Sequence, residues 1–186
     1  VVQVYESFEE FSAKSGASRT TNSHPRWGNR LTIHDASADY HSLKHEFADA
    51  FLQAGLTSPD DLCLEGEGVG PYLITTRAGK RCSSATAFLH PVTHRSNLDI
   101  LTSATVTRID IKGRAAIGVT GQLGNQFIEI RARKEVLLCA GAVNSPQLLQ
   151  LSGIGPGGLL QAHGVPSVLE HPHVGRHLQD HLGISY

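Results

Sequence analysis

The sequence predicts an α/β fold of mixed α+β character, built in two parts. Before residue 60, apolar side chains recur every three or four positions, as in helices, whereas from Asn97 onward apolar and polar residues alternate, as in strands. One apolar run that does not alternate, residues 135–141, comes directly before another helical stretch. The chain has 186 residues, of which 40% are apolar, enough for one domain or two small lobes with a buried core. We therefore divide the chain into residues 1–96, with helices and connecting loops, and residues 97–186, with strands and a strand–turn–helix unit.

The first part of the chain predicts two helices. Apolar residues within 4–12 fall on one helical face. Residues 15–29 are rich in Gly, Ser, Thr, Asn and Pro, which is the composition of a loop. Leucine and phenylalanine recur at helical spacing over residues 43–52, and Gly55 is placed to end that second helix. Short strands are expected at residues 31–33 and 71–76.

The second part predicts a meander of short strands joined by hairpins. Lys112–Arg114 and Gly121–Asn125 have the composition of the turns between the strands. The alternating segments are residues 98–102, 104–111, 115–120 and 126–132.

A different pattern follows the meander. Residues 135–141 form a short apolar run ending on Gly141, which is typical of a strand buried on both faces, usually a central parallel one. The next helix is predicted to begin with Ser145 as its cap and Pro146 in its first turn. A strand, a glycine turn and a helix start leave main-chain N–H groups pointing outward, where phosphates bind.

Three segments carry a resemblance to a known family. Residues 141–156, GAVNSPQLLQLSGIGP, resemble the second signature of the glucose–methanol–choline (GMC) oxidoreductases, flavoenzymes that oxidise alcohols. Residues 79–91, GKRCSSATAFLHP, resemble the family's G-x-R-x-S-x-x-x-A-[FY]-L-x-P segment, and residues 174–181, VGRHLQDH, resemble its V-G-x-N-L-x-D-H segment. The order along the chain is also that of the family, and the choline-dehydrogenase-like branch is the most similar.

The resemblance implies a partial FAD/NAD(P)-binding-type domain, with residues 97–186 belonging to it and residues 1–96 to the substrate or cap domain. It further implies hydride transfer from a CH–OH carbon to FAD, with a histidine taking the hydroxyl proton. The family's N-terminal phosphate loop and its late catalytic histidine have no counterpart here, and the chain begins with Val1. We therefore expect an internal fragment, inactive by itself, that contains no catalytic residue.

The resemblance also implies which residues contact FAD. The main chain at Val106 would meet the adenine, because an extended strand offers a donor and an acceptor at fixed spacing. The turn before the helix would pass close to the cofactor, and Gly141 suits it because a residue without Cβ allows close approach. His177 stands where the family usually has Asn, which puts an amide role there in doubt. The predicted cofactor-binding set is Val106, Ala140, Gly141, Ala142, Ser145, Asp180 and His181.

Other interpretations of the same residues stay open. Val106 can be an ordinary strand valine, and residues 152–156 can be a helix stop with a glycine cap. The run 153–158 spells G-x-G-x-G-G but follows a helix instead of a strand, so we interpret it as that stop and not as a phosphate loop. A non-catalytic nucleotide-binding module that shares the strand–turn–helix unit is one alternative function.

A histidine-rich metal-binding protein is another alternative. If residues 171–181 were helical, His177 and His181 would lie on one face, as metal sites often require. The sequence fixes no convincing third ligand, so we assign no metal site. The four histidines concerned are His171, His173, His177 and His181.

Composition narrows the partners and the compartment. Sixteen basic residues against seventeen acidic ones give no basic surface for nucleic acid. No apolar run is long enough for a membrane span, and the N-terminus lacks the pattern of a secretory leader. Three scattered cysteines favour a reducing, cytoplasmic setting. We expect a small-molecule alcohol as substrate, and self-association of the fragment through unpaired strand edges.

Overall fold

The computed structural model describes residues 9–12, 31–35, 41–59 and 67–183. It shows mixed α+β secondary structure with both parallel and antiparallel strand pairs. The chain divides into two compact units, Val1–Asp99 and Ile100–Tyr186, which are described separately below. Within the described ranges, no helix is both long enough and apolar enough to cross a bilayer.

The first unit contains a three-stranded sheet. Its middle strand, β2 (Leu31–Asp35), pairs in parallel with β1 (Glu9–Ser12) and antiparallel with β3 (Leu73–Ile74). The predicted strand at residues 31–33 is thus confirmed. The helix predicted over residues 4–12 is wrong for residues 9–12, because pairing with β2 satisfies their main-chain groups in place of a local helix. Residues 4–8 and the loop predicted at 15–29 lie outside the described residues.

The helix predicted from the leucine and phenylalanine spacing is confirmed as α1 (Ser42–Gln53). The His41 ring accepts the N–H of Leu43 at 3.2 Å, which caps the helix start. Gly55 has a φ of +98° and follows the last turn, so it ends the helix as expected. The apolar face is exposed all the same, since no α1 side chain is buried and Phe47 is 63% exposed.

The strand predicted over residues 71–76 is shorter than expected. It consists of β3 and, after one residue, β4 (Thr76–Arg77), which forms a hairpin with β5 (Lys80–Arg81). Ala78 and Gly79 have φ values of +48° and +73°, the geometry of a two-residue hairpin turn. The side chain of Arg77 donates to Thr32 Oγ1 at 2.9 Å, which joins this hairpin to β2.

A short π-helical turn, Ala85–Leu89, and a 3₁₀ turn, His90–Val92, follow the hairpin. Ser83 Oγ accepts the N–H of Thr86 at 3.2 Å, so this serine caps the turn. Among the described residues of the first unit, the buried apolar side chains are Cys82, just before this turn, and Ala87 within it.

The second unit begins with the predicted meander, which is confirmed. Strands β6 (Ala104–Lys112), β7 (Ala115–Leu123) and β8 (Gln126–Arg131) pair antiparallel in that order. Gly113 and Gly124, with φ near +60°, lie in the two hairpin turns. The predicted turn at 121–125 is mostly strand, because β7 continues to Leu123.

The strand predicted at residues 98–102 is absent, since these residues have no partner strand among the described ones. Alternation of apolar and polar residues makes a strand possible, but the hydrogen-bond ladder needs a neighbour.

The strand predicted at 135–141 is also absent. Residues 135–139 form no strand, and Leu137 is 76% exposed. The described part of the chain provides no strand beside this segment and no layer over it, so the prediction of a buried central strand is wrong here.

Two helices and a small parallel pair complete the second unit. Helix α2 (Gly141–Leu151) leads into β9 (Ile154–Gly155), α3 (Gly157–Ala162) and β10 (Leu169–Glu170), and β9 pairs in parallel with β10. Among the described residues of this unit, the buried apolar side chains are Ile109 and Leu160.

Candidate functional site

The start of α2 is the centre of the predicted site. The helix begins at Gly141, four residues before the predicted Ser145 cap, so that prediction is corrected. Ser145 reaches back instead, and its Oγ accepts the N–H of Ala140 at 3.1 Å. Gly141 has a φ of +86°, a conformation that glycine adopts easily, and this lets the chain turn into the helix earlier than the Ser-Pro pair suggested.

This helix start offers main-chain hydrogen-bonding groups. The N–H groups of Gly141, Ala142 and Val143 belong to the first helical turn, which has no intrahelical acceptors. Pro146 lies inside the helix and has no N–H, so the carbonyl of Ala142 loses its usual partner four residues on. A Cβ built on Gly141 would meet no atom within 4 Å, which leaves its main chain open to approach.

A groove of about 500 Å³ runs along α2. One of the predicted cofactor-binding residues, Ala142, lines it. Gln150 Nε2 donates to the carbonyl of Val174 at 3.1 Å and so fixes the opposite wall against the helix. Gly175 has a φ of +81°, and a Cβ there would lie 2.5 Å from Gln150 Nε2. The groove is lined by Ala142, Val143, Pro146, Gln147, Gln150, Gly175, Arg176, His177, Leu178 and Gln179.

Sequence reasoning missed most of this lining. Val143, Pro146, Gln147 and Gln150 follow the helical pattern i, i+3, i+4, i+7, so they share one helical face. That spacing was readable from the sequence, but it did not show which face of α2 would be covered by residues 175–179.

The remaining predicted residues lie elsewhere. Val106 belongs to β6, which is an edge strand of the meander, and it is 38% exposed. Opposite it, a Cβ on Gly121 would lie 2.9 Å from Val106 Cα, so glycine there permits the close approach of β7 to β6. Asp180 Oδ1 accepts the N–H of His181 at 2.8 Å, and both residues are exposed. Val106, Asp180 and His181 do not line the groove.

The glycine-rich run after α2, residues 153–158, is closed to a phosphate group. Gly153 has a φ of +85°, and a Cβ on it would lie 2.5 Å from the carbonyl oxygen of Pro166. The N–H of Gly157 at the start of α3 is already bound to Glu170 Oε2 at 2.7 Å. A side-chain carboxylate therefore takes the place that a phosphate would need. The interpretation of residues 152–156 as a helix stop agrees with this packing.

The histidines of residues 171–181 are not arranged as they would be in a helix. Residues 171–183 form no helix, so His177 and His181 do not share a helical face. His173 Nδ1 and His177 Nε2 lie 3.1 Å apart instead. No group of three or more His, Cys, Asp or Glu side chains suited to a metal ion occurs in the described parts of the chain.

The open helix start beside a groove provides main-chain N–H groups that an anionic group of a cofactor can approach. The family model described as GMC oxidoreductase matches residues 3–183, and the chain belongs to this family. The match extends far beyond residues 135–151, where the sequence predicted the strand–turn–helix unit that an unrelated nucleotide-binding module would share.

Individual relatives agree with the family. The chain is 44% identical over 156 residues to the oxygen-dependent choline dehydrogenase of Ectopseudomonas mendocina (strain ymp), covering 82% of this chain and 28% of that protein. Its fold matches pyridoxine 4-oxidase from Mesorbium loti with a TM-score of 0.76 at 31% identity, covering 91% of this chain and 32% of that one. An FAD-dependent oxidoreductase from Chaetomium thermophilum matches with a TM-score of 0.76 at 26% identity, covering 91% and 31%. The chain therefore spans less than a third of the length of these proteins.

Proposed function

We propose that this chain is part of an FAD-dependent oxidoreductase that oxidises a small alcohol, and that it contributes contacts to the adenosine side of FAD. The observation that carries the proposal is the open main chain at the start of α2, in a chain of the GMC oxidoreductase family. FAD, when bound, supplies the hydride acceptor. The choline dehydrogenase relative makes choline the first alcohol to assay.

The residues at the start of α2 fit a dinucleotide. Free N–H groups at a helix start carry partial positive charge and bind anionic oxygens. Ala142 adds a carbonyl that can accept a hydrogen bond, and Gly141 leaves room for close contact. Val106 offers the main chain of an edge strand, which is the type of contact that an adenine edge requires. Ala140 and Ser145 hold the turn through their hydrogen bond, whereas Asp180 and His181 are proposed as contacts on the resemblance alone.

The proposal also covers the division into domains, the cellular compartment and the partners. We assign residues 1–96 to the substrate or cap domain and residues 97–186 to the FAD-binding domain, and the separation of the two units after Asp99 supports a boundary there. A cytoplasmic setting is supported by the three scattered cysteines. The near-balance of basic and acidic residues gives no reason to propose a nucleic-acid partner.

The test of the FAD contact uses the full-length protein that contains this chain. Gly141→Leu would place a side chain in the space that the cofactor is proposed to occupy. Gly113→Leu is the matched control, because Gly113 also has a positive φ (+61°) and open space at its Cβ position but lies in a hairpin turn. We expect FAD bound per protein, measured by flavin absorbance, to fall at least about tenfold in Gly141→Leu only, because the leucine side chain would occupy the cofactor's space; a tenfold loss of affinity corresponds to about 1.4 kcal/mol. Equal FAD content in the two variants would contradict the contact.

The proposed oxidation of an alcohol by bound FAD is tested separately. We expect the full-length protein to reduce bound flavin when an alcohol such as choline is added. The 186-residue chain with added FAD should give no reduction, because no catalytic residue is assigned within it. Flavin reduction by the short chain would show that the base lies among these residues.

A further inference from the structure

We propose that His173 and His177 form a binding site for a divalent late first-row transition metal ion, namely nickel, copper or zinc. The two histidines are not among the proposed FAD contacts, although His177 lines the same groove as Ala142. His173 Nδ1 and His177 Nε2 lie 3.1 Å apart, with ring centroids 5.3 Å apart. Both residues are exposed, so an ion can reach the pair from solvent.

The separation of the two nitrogens suits a single metal ion. Two imidazole nitrogens bound to one ion at 2.0–2.1 Å, with an angle between square-planar and tetrahedral, stand about 2.9–3.4 Å apart. The observed 3.1 Å lies inside this range. Without metal, the same distance allows one ring N–H to donate to the other ring's nitrogen, so metal binding replaces one weak hydrogen bond with two coordinate bonds.

The turn that carries the two histidines is held by hydrogen bonds of its own. The carbonyl of His173 accepts the N–H of Arg176 at 3.0 Å, and the carbonyl of Val174 accepts Gln150 Nε2 from α2 at 3.1 Å. Gly175 and His177 have positive φ values of +81° and +60°, which bend the chain so that the two rings meet. Since the main chain of this turn is already held, metal binding requires the two rings to rotate toward a common ion but orders little further chain, which favours affinity.

The site offers two protein ligands, and water would complete the coordination. His171 is a further imidazole close to the pair, with its ring centroid 6.2 Å from that of His173. We therefore expect weaker binding than at four-ligand structural zinc sites, and an order of affinity with copper above nickel. His177 also lines the groove beside α2, so a bound ion would hold that part of the groove wall in place.

The experiment uses the full-length, untagged and metal-free protein, titrated with Ni²⁺ alone in competition with a coloured chelator. The variants are His173→Gln and His177→Asn, because Asn tolerates the positive φ at position 177. His163→Gln is the matched control, since His163 is an exposed histidine at the end of α3 that makes no ring contact with His173 or His177. Melting temperatures show whether each variant is folded.

We expect one equivalent of Ni²⁺ to bind the wild type and the control alike, and the affinity to fall at least tenfold in each variant of the pair. With Cu²⁺, the electron paramagnetic resonance spectrum should show coupling to more than one nitrogen in the wild type, and this pattern should change in both variants. Equal affinity in the wild type and the two variants, with all of them folded, would overturn the proposal and assign any uptake to the chain's other histidines. An equal loss in His163→Gln would overturn it as well.

Discussion

The hydroxyl of Ser152 joins helix α2 to the edge strand β6. Its Oγ accepts the main-chain N–H of Ile109 at 2.8 Å and donates to the carbonyl of Leu148 at 2.6 Å. Ser152 and Ile109 are each 6% exposed, so water cannot readily replace these bonds. The serine of the Ser-Gly-Ile-Gly segment is therefore a structural connection between the meander and the helix whose other end forms the candidate site.

Ser152→Ala should destabilise the second unit. The N–H of Ile109 would remain buried without an acceptor, and such a group costs about 1–3 kcal/mol. Urea unfolding of the protein, followed by circular dichroism, measures the loss. Ser84→Ala is the control, because Ser84 is exposed and makes no capping bond with its side chain. A Ser152→Ala protein as stable as the wild type would show that this bond contributes nothing to the packing of α2 on β6.

Gly175→Ala should narrow the groove and lower the melting temperature. The new Cβ would lie 2.5 Å from Gln150 Nε2, and alanine also disfavours the φ of +81°. Gly164→Ala separates the two effects, since Gly164 has a φ of +68° and open space around it.

We expect Gly164→Ala to cost about 1 kcal/mol from its φ alone and Gly175→Ala to cost more. Compared with Gln150→Ala alone, the double variant Gln150→Ala/Gly175→Ala should lose only the part due to φ, because the truncation has already removed both the steric contact and the bond to Val174. If the two glycine variants lose the same stability, the contact between Gly175 and Gln150 is too loose to define the groove.

Glu170→Gln should weaken the start of α3. The Glu170 carboxylate accepts the N–H of Gly157 at 2.7 Å, where a negative charge is stabilised by the helix dipole. We expect a loss of about 0.5–1 kcal/mol at low salt and a smaller loss at high salt, measured by urea unfolding.

Glu129→Gln is the matched control for this change. Glu129 is an exposed strand residue whose carboxylate lies 3.7 Å from Arg131 Nε, and exposed ion pairs of this kind contribute little. A larger loss in Glu129→Gln than in Glu170→Gln would contradict the capping role.

The 186-residue chain should self-associate when it is produced by itself. Leu137, Val143 and Leu178 are each at least 69% exposed, and β6 and β8 are the two edges of the meander. Light scattering at a protein concentration of roughly tens of micromolar should give a mass above that of one chain. Exposed apolar side chains and strand edges associate at such concentrations. Leu137→Lys should lower the mass, with Lys134→Leu as the opposite change. A monomer mass for the unmodified chain would rule out this expectation.

Secondary-structure elements that depend on residues close together in the chain could be predicted from the sequence. Helix α1 follows from the spacing of its phenylalanine and leucine residues and from Gly55, and the β6–β8 meander follows from alternation and two turn glycines. Membership of the GMC oxidoreductases was also readable, because three motifs occur at the family's spacing and order. In each case the signal lies in residues that are close together in the chain.

Elements that depend on distant partners required the tertiary structure. Residues 9–12 are a strand because β2 lies beside them, and residues 135–139 are not a strand because no neighbour does. The groove exists because Gln150 holds residues 174–179 against α2, and the His173–His177 pair exists because Gly175 and His177 bend the chain. Sequence periodicity predicts the preferred local conformation of each segment. A strand ladder, a groove wall or a pair of facing rings also needs a second segment, and only the tertiary structure determines which segment packs beside the first.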